Sequence, residues 1–161
     1  PESALRWEID RWEGATASIS FPATLDLNPE YIVTTQVNWK RGMGRYTVAS
    51  HFAPVDLTGS TMRLELSATG AQPDTTLIVT PMLKDEAGRR WLLPSQRWRP
   101  AADGRWQTLN WSIDTPSRLR ATTPDAAAVH PIQSIELELT RPPSDQPQSM
   151  QVRLKNLLVR R

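Results

Sequence analysis

The chain predicts an all-β fold, an antiparallel β-sandwich, and three observations carry that reading. Short segments alternate apolar and polar residues at period two. Turn signals separate them at near-regular spacing. No stretch repeats its apolar residues at the helical period. About ten such segments follow one another, the pattern of a sandwich rather than of a bundle or a βαβ unit. With 161 residues the chain has the size of one domain and can bury a core without staples. It shows no internal repeat and no linker, so residues 1–161 are expected to form a single sandwich. A chain that opens on Pro1 rather than Met is expected to be processed or excised from a larger protein.

Taken in order, the segment from Leu5 to Trp12 alternates apolar and charged residues, with Leu5, Trp7 and Ile9 in one phase. After the Glu13-Gly14 turn, Ala15, Ala17, Ile19 and Phe21 form the inward phase of a second strand. Residues 22–29 read as a loop. The next strand runs from Tyr31 to Trp39 and is strong in β-formers. A glycine-bearing loop, Lys40 to Gly44, leads to a strand from Arg45 to Phe52. Asp56-Leu57-Thr58-Gly59 turns the chain into Thr61–Thr69, whose Arg63, Glu65 and Ser67 oppose its apolar phase. Thr76–Lys84 follows, with Ile78, Thr80 and Met82 in the outward phase. The segment Arg89–Arg99 is dense in Trp and Arg. Beyond Ala102-Asp103-Gly104, the strand Arg105–Ile113 turns Thr108, Asn110 and Ser112 outward. Residues 115–131 are Pro- and Thr-rich, with one helical turn expected at Asp125–Ala128. Ile132–Thr140 points Ile135, Leu137 and Leu139 to the core and Ser134, Glu136 and Glu138 away from it. The Pro-rich run Arg141–Pro147 reads as a loop. In the last strand, Met150–Val159, alternation fails near Asn156, the mark of a bulge.

Composition narrows the function classes. Without cysteine there are no disulfides and no thiolate metal sites. No apolar run reaches membrane-spanning length and no signal peptide is visible. A net charge of +2 is not that of a dedicated nucleic-acid binder. The aromatic balance is unusual: seven Trp stand against two Phe and two Tyr. A core packed for volume alone has little reason to prefer indole, whose N–H needs a partner when buried. Some of these rings are therefore expected to be exposed and used. Glu8, Asp10 and Glu13 form an acidic cluster near the N-terminus, for which a solvated strand face is favoured over a cation site. No metal or cofactor is expected.

The order of several motifs resembles the galactose-binding-domain-like jelly rolls, and among them the carbohydrate-binding modules appended to bacterial polysaccharide-degrading enzymes. The residues that carry the resemblance are Asp56-Leu57-Thr58-Gly59 before the Met62–Ala68 strand, Trp106-Gln107-Thr108-Leu109, the Ile132–Leu139 strand, and Leu154-Lys155-Asn156-Leu157-Leu158-Val159 at the close. It covers roughly residues 55–161. It implies an antiparallel jelly-roll β-sandwich in which one sheet is concave and its outward side chains line a glycan groove. It also implies a secreted or periplasmic module, linked to a catalytic domain. Lys155 stands where the family often has an Asp that belongs to a structural calcium site, and a lysine cannot ligate calcium.

A glycan groove needs flat aromatic rings against the C–H faces of the sugar, and polar forks for its hydroxyls. The ring candidates are Trp91 and Trp98, with Gln96, Arg97 and Arg99 beside them, and Trp39 with Tyr46 past the glycine-bearing loop. Arg63 and Glu65 are candidates for the polar floor. Trp7, Trp106 and Trp111 fit the core. Catalysis has little support. His51 and His130 are far apart, no nucleophile turn is present, and Glu65, Glu136 and Glu138 alternate as solvated carboxylates do. The expected function is thus non-catalytic polysaccharide binding. A structural sandwich bracing a neighbouring domain or subunit is the alternative. Binding of single-stranded nucleic acid by the Arg–Trp segment ranks third.

Overall fold

The structure, a computed structural model, describes residues 6–20, 32–113, 120–121 and 131–160. Those residues form strands and turns and no helix. In chain order the strands are β1 (Arg6–Glu13), β2 (Ala15–Ser20), β3 (Val33–Trp39), β4 (Gly42–Val55), β5 (Ser60–Thr69), β6 (Leu77–Asp85), β7 (Arg90–Leu92), β8 (Gln96–Trp98), β9 (Gln107–Ile113), β10 (Arg120–Ala121), β11 (Ile132–Ser144) and β12 (Gln148–Arg160). The expected helical turn at Asp125–Ala128 and the loop at 22–29 lie outside the described residues.

Two antiparallel sheets face each other. One has seven strands in the order β1-β4-β11-β6-β7-β10, with β8 also paired to β6; the other has five, in the order β2-β3-β12-β5-β9. Alternation decides which side chains lie between them. From the seven-stranded sheet come Trp7, Tyr46, Val48, Leu77, Val79, Leu83, Trp91, Trp98, Ile135, Leu137 and Leu139, all buried. The five-stranded sheet contributes Val33, Val37, Trp39, Met62, Leu64, Leu66, Trp111, Met150, Val152 and Leu154, buried as well. The all-β sandwich is therefore as the period-two pattern predicts.

The bulge expected near Asn156 is present, as a register shift between Lys155 and Leu158 against β5. The Pro-rich run after Thr140, read as a loop, instead extends β11 to Ser144. Its pairing with β4 shifts between Arg141 and Ser144, and a bulge of that kind tolerates Pro142 and Pro143, which lack ladder donors.

The corner where the chain passes from one sheet to the other positions the site described next. β1 belongs to the seven-stranded sheet and β2 to the five-stranded one, and Gly14 alone connects them at φ 63°. A Cβ at Gly14 would stand 2.2 Å from the Met43 carbonyl oxygen, so no other residue fits. Opposite it, a Cβ on Gly44 would meet the Trp39 ring at 2.7 Å. Trp39 packs against Tyr46, ring centroids 5.6 Å apart and tilted by 52°. The Arg141 guanidinium lies 5.8 Å from the Trp39 ring centroid and donates to the Lys40 and Gln146 carbonyls at 2.5 and 2.9 Å. Burial pulls the Arg141 pKa below its usual range, and those carbonyls hold the cation in place.

Candidate functional site

Each sheet turns one face outward, and the two faces carry different chemistry. On the seven-stranded sheet, cross-strand register builds rows. One row runs Glu8, Ala49, Glu136, Met82, Leu92; the next runs Arg11, Thr47, Glu138, Thr80; a third runs Glu13, Arg45, Thr140, Ile78, Arg97. Glu136 is buried and receives Arg90 Nε and Nη2 at 3.2 and 3.4 Å, with Arg11 Nη2 at 3.9 Å from it. Arg45 sends Nε and Nη2 to one oxygen of Glu13 at 2.9 and 2.7 Å. His51 Nε2 lies 2.8 Å from Glu8 Oε1.

Where the second and third rows meet the β1 edge, a cleft of about 380 Å³ opens, lined by Arg11, Trp12, Glu13, Arg45, Thr47 and Glu138. Trp12 keeps 57% of its surface open, the largest exposure among the large apolar side chains of the described residues. The register of β1 against β4 slips between Ile9 and Arg11, so Arg11 stands opposite Thr47 and Trp12 opposite Tyr46. An open indole beside a guanidinium–carboxylate fork in a concavity gives a sugar ring an apolar face and its hydroxyls a set of donors and acceptors.

The five-stranded sheet presents a carpet of hydroxyl, amide and basic groups. Thr34, Gln36 and Asn38 come from β3, Gln151, Arg153 and Lys155 from β12, Thr61, Arg63, Glu65 and Thr69 from β5, and Thr108, Asn110 and Ser112 from β9. Trp106 lies beside this face under two cations, with Lys155 Nζ at 4.2 Å and Arg153 Cζ at 4.8 Å from its ring centroid.

The expected site residues do not come together. Trp39, Trp91 and Trp98 are each 2% exposed and Tyr46 is 1% exposed. A ring closed to that degree has no face for a ligand, so the expectation of platforms at these four positions is corrected: they are core. Except for Trp39, whose buried N–H finds no hydrogen-bond partner among the described residues, their polar handles point to internal partners. Trp91 N–H donates to Asp85 Oδ2 at 3.1 Å, and Trp98 N–H to Gln107 Oε1 at 2.9 Å. Gln107 accepts again from the Ala101 N–H at 2.9 Å and donates to the Arg99 carbonyl at 3.0 Å, so one amide closes the whole 98–101 turn. Tyr46 shares a 3.0 Å hydrogen bond with Thr35 Oγ1, and burial pushes its phenol pKa well above the usual range.

Gln96 is a tie rather than a reader, its amide donating to the Asn110 carbonyl across the sandwich edge at 2.6 Å. Arg97 is exposed, and Arg99 pairs with Asp74. Arg63 and Glu65 lie 3.8 Å apart on the other sheet, away from the Arg97–Arg99 segment. Trp7 and Trp111 are buried as expected. Trp106 is not: it is half-buried at the outer face instead of in the core. In the acidic cluster, Glu8 lies against His51 and Glu13 against Arg45. No three His, Asp or Glu side chains gather into a metal-binding group among the described residues.

Trp12 is the residue that the sequence reading missed. Strict period two places it with Glu8, but the slip after Ile9 sets it opposite Tyr46, in the phase between Arg11 and Glu13, and it stays open because β1 is the edge strand of its sheet.

No family model matches the chain, and no curated protein matches its sequence. Solved structures do. A structure from work on the promiscuous specificity of carbohydrate-binding modules of the β-sandwich superfamily aligns with a TM-score of 0.61 at 10% identity, over 97% of this chain and 58% of that one. The chain thus spans little more than half the length of that structure. The solution structure of the module CtCBM11 aligns at 0.58 with 15% identity, over 99% of this chain and 90% of that one. The module TmCBM27, described for specific mannan recognition, aligns at 0.53 with 10% identity, over 96% and 88%. At such identities the likeness shows the fold: this chain has the β-sandwich of carbohydrate-binding modules.

Proposed function

We propose that the protein is a non-catalytic carbohydrate-binding module that holds a polysaccharide segment in the cleft at Trp12. The observation that carries the reading is that open indole, set at a cleft walled by Arg11, Glu13, Arg45 and Glu138. The fold shared with a module in complex with a β-1,3-1,4-mixed-linked tetrasaccharide and one described for specific mannan recognition supports the ligand class. Support for a binding rather than a catalytic role comes from the carboxylates. Among the described residues, Glu13 and Glu136 are each held by guanidinium groups. In this reading the module works outside the cytoplasm, secreted or periplasmic, and serves a linked polysaccharide-active domain.

The test is affinity electrophoresis through gels of mixed-linked glucan, mannan, xylan and uronate polymers. At least one gel should retard the wild-type protein. Trp12→Ala should weaken that retardation by at least about tenfold, some 1.4 kcal/mol, the scale of a central aromatic contact. Its unfolding midpoint should hold, because an exposed ring adds little to the core. If no glycan retards the protein, or if Trp12→Ala binds as the wild type does, the cleft is not a sugar site. The exposed ring would then suit a domain that braces a neighbour.

A further inference from the structure

The outer face of the five-stranded sheet has a charge pattern that the Trp12 cleft does not use. Register along β12 and β5 sets four rows: Arg153 opposite Ser67, Lys155 opposite Glu65, Leu158 opposite Arg63, and Arg160 opposite Thr61. Two residues of strand rise by roughly 7 Å, so the rows form a column about 20 Å long with one cation at each step. Glu65 is the single carboxylate among them. The cations near Trp106 are held in position. Arg153 donates to Ser67 Oγ at 2.9 Å and to the Gly104 carbonyl at 3.4 Å, and its guanidinium and the Lys155 ammonium both lie over the Trp106 ring. A cation stacked on indole keeps its charge while losing rotamer freedom, so less is lost when an anion docks. Hydroxyls and amides flank the column, with Thr108 beside Glu65 and Asn110 beside Arg63 on β9.

We infer that this face is a second ligand site, separate from the cleft, and that it takes a polysaccharide bearing repeated carboxylate or sulfate groups. The regular cation spacing suits a polymer with one anionic group per repeat, and the flanking hydroxyls and amides suit sugar hydroxyls. Single-stranded nucleic acid fits less well. It needs open aromatic faces for successive bases, whereas the one indole here is already covered by cations.

The experiment compares retardation by polygalacturonate, by its methyl-esterified form and by poly-dT. Polygalacturonate should retard the wild-type protein, less so as salt rises past about 0.15 M, where the screening length falls to about 8 Å. The Arg153→Ala/Lys155→Ala variant should lose at least about tenfold on polygalacturonate and nothing on the esterified polymer, whose charge is gone. Because Arg153 also bonds within the fold, the pair Arg63→Glu/Arg160→Glu gives the same test with exposed side chains, and its loss should match. Arg97→Glu, a charge reversal on the opposite sheet, should leave polygalacturonate retardation unchanged. The inference is overturned if polygalacturonate fails to retard the wild type. Equal losses on both polymers, or no loss in either double variant, would also overturn it. Stronger retardation by poly-dT, abolished by the same substitutions, would make the face a nucleic-acid site instead.

Discussion

The two outer faces differ in where they keep their charge. At the centre of the seven-stranded sheet the charges are packed down, while those at its β1 edge stay exposed. Glu136 is 2% exposed beneath Arg90 and Arg11, while Thr47, Ala49 and Met82 beside it are buried too. On the five-stranded sheet they stand up: Arg63 is 53% exposed and reaches Glu65 only at 3.8 Å. A buried ion pair fixes geometry, and an exposed one contributes little to stability but leaves its charge available to a partner. The first face thus has a fixed ionic centre and an open edge, the second an exposed basic surface.

Substitutions can break or sharpen that contrast, and their effects should fall in order of burial. Trp98→Ala removes a core indole that both sheets pack on and takes one of three partners from the Gln107 amide. It should cost about 3–5 kcal/mol by denaturant unfolding, with both faces losing their order together. Glu136→Ala leaves Arg90 and Arg11 without their buried acceptor. Because Arg90 is itself about one-third exposed, the cost should be nearer about 2 kcal/mol than the value for a fully buried pair.

Tyr46→Phe should cost about 1 kcal/mol at neutral pH, since Thr35 keeps its bond to the Val152 carbonyl and loses only one partner. Its pH dependence is more telling. The folded protein holds the Tyr46 phenol protonated beyond the point where the unfolded chain releases it, near pH 10. Stability is therefore full below about pH 10 and falls as pH rises through and above it. Tyr46→Phe should flatten that alkaline fall, and a series of unfolding midpoints from pH 8 to 12 reads it; an unchanged slope would place the alkaline sensitivity elsewhere. Arg63→Ala, at the exposed end of the series, should move stability by less than about 0.5 kcal/mol. A larger loss would mean that the five-stranded face is a structural lattice and not an available surface.

The strands were legible because their cue is local. In Ile135, Leu137 and Leu139 the period alone names the buried phase, and the broken phase near Asn156 names the bulge. Membership of a sheet was not legible. Nothing near Arg63 or Arg97 says that β5 pairs with β12 and β9 while β8 pairs with β6, since those partners lie far apart in the chain. The tryptophans misled for a related reason. A Trp in a short strand such as β8 reads as exposed unless something takes its N–H, and for Trp98 that something is Gln107, nine residues away. For Trp12 the period misplaces the phase, because the slip after Ile9 that sets it opposite Tyr46 leaves no local cue. Trp39 and Tyr46 build the corner whose surface carries the cleft, with Tyr46 directly opposite Trp12.

The uneven exposure of the indoles gives the protein an optical gauge of its own. Trp7, Trp39, Trp91, Trp98 and Trp111 are closed to solvent, and Trp106 is half-covered by cations, so a water-borne quencher reaches Trp12 first. Acrylamide quenching should report a small accessible fraction of the emission. A glycan seated in the cleft should hide that fraction and shift it to shorter wavelength. A polyanion on the far sheet should leave it open and disturb only the light from Trp106. Occupancy of one face can thus be followed while the other is loaded, with no label attached.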